Sequence, residues 1–258
     1  MMIYEPKGKA REYSPYALNY FKGCDHGCKY CYVPVMKGKY DSGYDHSNVT
    51  CDIKGYEKEI ERFANSINRD KQVLLSFTGD PYCNAENGET REILQKMAEC
   101  NLHVAILTKN PGKAMRDNDI MARMKHFQIG TTLTCDNDED SARIEPGAPS
   151  PSKRMEAIKV FNADGIRTWI SFEPIISAEQ TLNMIEEMAL HVHHIKAGKL
   201  NYHSMSNVKN WCDVAKQIVS KCRSLNLPFY IKEELAKYYK DIANPLSKNE
   251  TDYDNFNV

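Results

Sequence analysis

Short apolar runs alternate with stretches of helical periodicity along nearly all of this 258-residue chain. The apolar runs fall at residues 16–21, 73–77, 103–107, 128–133, 167–172, 192–196 and 229–231. Each has the length of a buried strand. Helix-like segments separate them. Ile60, Phe63 and Ile67 are spaced for one face of a helix over 56–67, and Ile93, Leu94 and Met97 for one over 90–100. Ser177 with Gln180 three residues on is a capping box, opening a helix to about residue 190. Further helices are expected over 120–127, 152–163, 206–224 and 233–241. Residues 32–53 read as loop. Strand and helix in this order argue for a parallel sheet with helices outside, because a parallel connection needs a crossover. A full or partial (β/α) barrel fits best, and a doubly wound open sheet is the alternative. One domain is expected over residues 1–243, with a polar, poorly ordered tail over 244–258.

A barrel gathers its chemistry at the C-terminal ends of its strands. Here those ends are polar in turn. The first expected strand leads into Cys24, Cys28 and Cys31, and the second into Thr78-Gly79-Asp80-Pro81. The third ends in Lys109, the fourth in Thr132, Thr134 and Asp136, and the fifth in Glu173-Pro174. Lys196, Lys199, Asn201 and His203 follow the sixth, and Lys232 and Glu233 the last. One polar strand end means little; seven favour a shared mouth.

The residues Cys24-Asp25-His26-Gly27-Cys28-Lys29-Tyr30-Cys31 place three thiols at C-x3-C-x2-C spacing. Thiolates are soft ligands and suit zinc or an iron–sulfur cluster. Structural zinc normally takes four ligands, often as paired C-x2-C knuckles. Cys51, Cys83, Cys100, Cys135, Cys212 and Cys222 are too scattered to form a second knuckle. Three thiolates on a four-iron four-sulfur cluster leave one iron open to a substrate or cofactor.

With Tyr30 as its aromatic, C-x3-C-x-aromatic-C resembles the signature of radical S-adenosylmethionine (SAM) enzymes. Ile3-Tyr4-Glu5-Pro6-Lys7-Gly8 and Cys31-Tyr32-Val33-Pro34 resemble the branch containing spore photoproduct lyase and DNA repair photolyase-like proteins. The resemblance covers most of residues 3–240 and implies a partial six-stranded barrel. It also implies that Cys24, Cys28 and Cys31 each hold one iron of a four-iron four-sulfur cluster. SAM would chelate the fourth iron, and an electron from the cluster would cleave it to a 5′-deoxyadenosyl radical. An external electron donor such as flavodoxin or ferredoxin is implied, and nucleic acid is the implied substrate class. A peptide or small metabolite is the alternative substrate, and a non-catalytic iron–sulfur or zinc protein the alternative function.

The same resemblance assigns roles to single residues. Thr78, Gly79 and Asp80 match a motif whose backbone holds the SAM amino group; a plain turn at Pro81 is the other reading. Lys109 matches a lysine contacting the SAM carboxylate, against a solvated loop lysine. Thr132 falls where relatives carry a hydroxyl near the SAM ribose. Glu173, in Ser171-Phe172-Glu173-Pro174, is a candidate for binding substrate or SAM. Glu145-Pro146-Gly147 with Arg154 also resembles the branch and reads as a structural ion pair. Cys83 and Cys135 lie on the mouth side and are candidate hydrogen donors, although inert burial is the commoner fate of such thiols. Spore photoproduct lyases carry a donor cysteine directly before a Thr-Ser-Asp segment; aligning that segment on Thr78-Gly79-Asp80 puts Phe77 there.

Composition sets outer bounds. Hydrophobic residues make up 41% and charged residues 27%, ordinary for a globular chain. A net charge of −1 gives no global pull toward nucleic acid, so phosphate contact needs a local patch. Lys7, Lys9, Arg11, Lys37 and Lys39, interleaved with Tyr4, Tyr13, Tyr16, Tyr32 and Tyr40, are one candidate, diluted by Glu5, Glu12 and Asp41. Nine cysteines without a disulfide framework, no signal-like N-terminus and no long apolar run lead to the expectation of a cytoplasmic protein with no membrane span. His26 could offer a nitrogen ligand, although an exposed loop histidine is the commoner reading.

Overall fold

The computed structural model describes residues 2–201 and 206–258. Its strands are β1 (Ile3–Tyr4), β2 (Tyr16–Leu18), β3 (Phe21–Lys22), β4 (Thr50–Cys51), β5 (Val73–Leu75), β6 (Val104–Thr108), β7 (Phe127–Thr132), β8 (Arg167–Ile175), β9 (His194–Lys199) and β10 (Phe229–Ile231). Its α-helices are α1 (Tyr32–Lys37), α2 (Tyr56–Ala64), α3 (Glu89–Glu99), α4 (Pro111–Ala114), α5 (Asn118–Met121), α6 (Asp138–Ile144), α7 (Pro151–Ala163), α8 (Ala178–Met188), α9 (Trp211–Ser224), α10 (Glu233–Ala236) and α11 (Lys248–Thr251).

The main sheet runs β1-β2-β5-β6-β7-β8-β9-β10. Every neighbouring pair from β2 to β10 is parallel, and β1 adds an antiparallel edge. β1 and β10 do not pair, so this is an open, partial barrel. Its described parallel strands number seven, β10 included. The first expected strand divides in two. Tyr16–Leu18 joins the barrel, while Phe21–Lys22 turns away to pair with Thr50–Cys51. That departure carries the chain into the cysteine loop. The expected loop at 32–53 contains α1 and β4. The helix expected from 206 begins at Trp211, because the Asn210 side chain accepts from the backbone N–H groups of Cys212 and Asp213.

Alternation along the strands sorts two environments. Val73, Leu75, Val104, Ile106 and Ile129 pack outward onto Ile60, Phe63, Ile93, Leu94 and Met97. On the other half, Ile170, Phe172, Ile195, Phe229 and Ile231 pack onto Met184, Ile185, Ile218 and Val219. The opposite face of the strands holds Leu74, Ala105 and Trp169, joined by Tyr13, Phe77 and Leu107. This is the bore.

Two chain segments fill that bore from outside the sheet. The tail after residue 244, expected to be poorly ordered, is folded. It includes α11, and its Phe256 is buried against His194 and Tyr230. Gln128 Nε2 donates to the Phe256 carbonyl, and Gln72 Nε2 to Asn257 Oδ1, so the N-terminal end of the bore is closed. Pairs Arg223–Glu250 and Arg11–Asp254 hold the tail in place. Arg11 is thereby committed to the tail instead of a basic patch near the cysteines. The second segment is 12–14: Glu12 and Ser14 are buried, and Tyr13 reaches the strands of the bore. Among the described residues no helix is long and apolar enough to cross a membrane.

Candidate active site

The cysteine loop leaves β3 and is clamped between two turns. Its outer clamp is the turn after α6. Gly147 N–H donates to the His26 carbonyl, and a Cβ at Gly147 would lie 2.3 Å from the Asp25 carbonyl oxygen. Only glycine permits that approach. Lys29 N–H donates to the Ile144 carbonyl, a second tie to the same turn.

The inner clamp is Asp80. His26, expected to be exposed, is 1% exposed, with Nε2 3.3 Å from Asp80 Oδ2 and Nδ1 3.2 Å from the Gly147 carbonyl. Asp80 also accepts from Thr108 Oγ1 at 2.6 Å, from Tyr82 N–H at 2.8 Å and from Lys109 N–H at 2.7 Å. Burial opposes its charge, but His26, Thr108 and the Lys109 amide outweigh it and hold the carboxyl down at about 2. Asp80 thus ties the cysteine loop to β5 and β6. Thr78 Oγ1 donates to the Phe21 carbonyl, and Asn19 Oδ1 receives the N–H groups of Phe77 and Thr78.

None of the nine cysteines is in a disulfide. Burial raises the thiols of Cys24, Cys28 and Cys31, that of Cys28 to about 11 with Lys109 opposing. Cys31 Sγ lies 3.5 Å from His46 Nε2. Ligand atoms of Cys24, Asp25 and His26 also lie within 4.8 Å of one another. As a metal set they are weaker than the three thiols. Asp25 already accepts from the Asn84 and Ala85 N–H groups, and His26 is held between Gly147 and Asp80.

Beside Cys28 lies a buried polar group. Tyr30 donates its hydroxyl to Glu145 Oε1, and Arg154 pairs with Glu145 Oε2 at 2.6 Å, both partners fully buried. Lys109 Nζ stands 3.9 Å from Glu145 and 5.4 Å from the Tyr30 ring centroid, so it is not a solvated loop lysine. Burial works against its charge, yet Cys28 and Glu145 raise its pKa. Arg154 also donates to the Thr132 and Pro149 carbonyls, fixing the end of β7. The Thr132 side chain is buried.

The other candidates separate. Cys83 is fully buried in the apolar layer with Tyr20, Phe21, Ile93 and Leu94, and its thiol is pushed up to about 12 by burial and Asp80. The Cys24 thiol packs against the same layer and is raised in part by Cys83, so Cys83 lies behind the cysteine loop and outside the group of side chains that lines the bore. Cys135, pushed up to about 11 by burial, packs with Tyr30, Ile144, Ile176 and Leu200, with Cys28 against them. It borders a cavity of about 380 Å³ shared with Lys29, Ile176, Ser177 and Gln180. Glu173 lies in the bore, accepting from Tyr13 Oη at 2.6 Å and Lys232 Nζ at 2.5 Å. Asn201 donates to the Lys199 carbonyl; His203 lies outside the described residues.

The model of the radical SAM superfamily matches residues 18–192. The chain belongs to the radical SAM superfamily. Members bind a four-iron four-sulfur cluster and SAM. An uncharacterised protein of Methanocaldococcus jannaschii is 29% identical over 62% of this chain and 60% of its own length. Another, from the Acidianus two-tailed virus, is 25% identical over 71% of this chain and 64% of its own. The chain therefore spans less than two thirds of these curated relatives. Among solved structures, SuiB of Streptococcus suis bound to SAM superposes with TM-score 0.66 at 14% identity, over 86% of this chain and 51% of that one. Spore photoproduct lyase complexed with dinucleoside spore photoproduct gives 0.68 at 10% identity, over 88% and 79%. These likenesses show a shared radical SAM fold.

The residues present fit the radical SAM cofactors. Three partly exposed, unpaired thiols share one loop, and Lys109 beside Cys28 favours the thiolate a metal needs. Sequence reasoning missed Glu12 and Tyr13, read as surface residues, and the hub at Asp80. No periodicity marks a short segment entering a bore. A histidine midway between Cys24 and Cys28 is equally silent about a partner fifty-four positions away.

Proposed function

We propose that this radical SAM enzyme acts on nucleic acid, at a base lodged in the barrel mouth. One observation carries the reading. The bore beside the cysteine loop holds Phe77 packed edge-to-face with Tyr13, ring centroids 6.3 Å apart, together with the Glu173 carboxylate. Aromatic surface beside a hydrogen-bonding group suits a base turned out of its strand. Spore photoproduct lyase, a fold neighbour, is known complexed with a dinucleoside.

In this reading Cys24, Cys28 and Cys31 would hold the cluster, which would supply the electron for reductive cleavage of SAM. Lys109 pairs with the SAM carboxylate. The turn at Thr78-Gly79-Asp80 offers its backbone to the SAM amino group, with Asp80 fixing the turn. The cavity bordered by Cys135, Ile176, Ser177 and Gln180 takes the adenosine, its apolar wall against the ring and its polar groups at the edge. Glu145 and Arg154 hold Tyr30, and so the cysteine loop, in place. Burial in the mouth keeps a reactive radical from solvent.

The test has two arms. Anaerobically reconstituted protein should hold about four irons per chain, and Cys24→Ala, Cys28→Ala or Cys31→Ala should lose them while Cys222→Ala keeps them. With reductant and SAM, single-stranded DNA or RNA should accelerate 5′-deoxyadenosine formation. Acceleration by peptides instead, with none by nucleic acid, removes the substrate reading and leaves the cofactor reading standing.

A further inference from the structure

Glu173 uses the two oxygens of its carboxylate differently. Oε2 accepts from both the Tyr13 hydroxyl, at 2.6 Å, and Lys232 Nζ, at 2.5 Å. Oε1 accepts nothing from the described residues, and the side chain keeps 19% of its surface exposed. With both internal donors on one oxygen, the other is a free, charged acceptor at the floor of the mouth.

The surroundings hold that arrangement still. Lys232 Nζ lies 4.1 Å from the Tyr13 ring centroid and 3.8 Å from Glu12 Oε1. Tyr13 Oη is also 2.8 Å from Ser171 Oγ. Lys196 Nζ donates to the Glu12 carbonyl at 2.8 Å, securing the segment that carries Tyr13. At Gly198 a Cβ would come within 2.9 Å of Glu173 Cδ and Oε1, so the glycine makes the room this carboxylate occupies. Glu12 and Glu173 thus share the bore with Lys196 and Lys232, and both lysines are engaged by acceptors of this group. The oxygen left over suits a neutral hydrogen-bond donor. Phe77 and Leu107 supply apolar surface beside it.

We propose that Glu173 Oε1 reads a ring N–H on the Watson–Crick edge of a base lodged beside Phe77. The inference rests on the nucleic-acid reading above and names the group that recognises the base. Thymine at N3 and guanine at N1 each offer such an N–H, on a ring nitrogen that carries a single hydrogen. A base methylated there loses its donor and leaves the carboxylate oxygen unpaired.

The experiment measures fluorescence anisotropy of labelled ten-nucleotide single strands of thymine, or of alternating thymine and guanine, on the reconstituted enzyme with SAM. The tightest strand is then compared with the same strand methylated at its Watson–Crick N–H. Wild type should bind the methylated strand about tenfold or more weakly. In Glu173→Gln, Lys232 and Tyr13 both require an acceptor, so the amide oxygen takes the place of Oε2. Its NH2 then stands where Oε1 was, a donor in place of an acceptor, and the preference for the unmethylated strand should vanish. Gly198→Ala displaces the carboxylate without changing its charge and should lose the same preference. If no strand binds wild type, the nucleic-acid reading falls and takes this inference with it. If strands bind but methylation makes no difference, or both variants discriminate like wild type, this inference alone is overturned.

Discussion

His26 Nε2 lies 3.3 Å from Asp80 Oδ2, joining the cysteine loop to the turn that follows β5. The contact links chemistry to fold, because Asp80 also receives Thr108 and Lys109 from β6 and its end.

This sets an acid dependence. Asp80 is held at about 2, below its unfolded value near 3.8, so its stabilisation is full above about pH 4 and fades as pH falls through 2. Asp80→Asn should lower the stability of the iron-free protein at pH 7 by about 2 kcal/mol. It should also flatten the decline between pH 4 and 2. Urea unfolding at pH 7, 4 and 2.5 measures both, and an unchanged acid limb in the variant argues against the role given to Asp80.

Arg154 and Glu145 form a fully buried pair. Arg154→Met leaves the carboxylate without its main partner and should cost about 3–5 kcal/mol. Adding Glu145→Gln should recover most of the loss, since no charge then stays buried unpaired. Denaturant midpoints of the two variants decide it; a single variant as stable as wild type contradicts the account.

Lys109 stands beside Cys28 and Glu145 at the mouth. Lys109→Ala should weaken SAM binding to the reconstituted enzyme by about 1.5–3 kcal/mol, the worth of a charge-assisted hydrogen bond. Equilibrium dialysis with SAM is the measurement, and unchanged affinity takes Lys109 out of the site.

Phe77 offers no thiol at the end of β5, and Cys83 is sealed in the layer between sheet and helices. Incubating reduced enzyme and SAM with DNA containing the spore photoproduct should restore little thymidine. Repair over many turnovers would show that another group donates the hydrogen; its loss in Cys83→Ala would mean that the thiol moves out of its layer.

The placement of Cys24, Cys28 and Cys31 at one end of a parallel barrel was legible because it depends on local pattern. Short apolar runs with helical spacing between them allow few architectures, and three thiols within eight residues cannot lie far apart. The polar strand ends were legible for the same reason, since a strand's last residue and the following loop stay neighbours whatever the rest does. Glu173 and Lys232 were thus both visible as strand ends, but not as partners.

What the sequence determined by itself is the set of contacts between residues near one another in the chain: the cysteine loop, the alternation of strand and helix, and the cap at Ser177. What the tertiary structure decided is which distant side chains meet. Tyr13 crosses 160 positions to Glu173, and Tyr230 crosses 218 to Glu12. His26 reaches Asp80, and Phe256 closes the bore from a stretch of polar composition. Such pairings follow from barrel curvature and strand register, which bring inward-facing residues of non-adjacent strands into one bore. Local propensity carries no trace of them, because the energy that selects them is the burial and pairing of charges that exists only once the bore has formed.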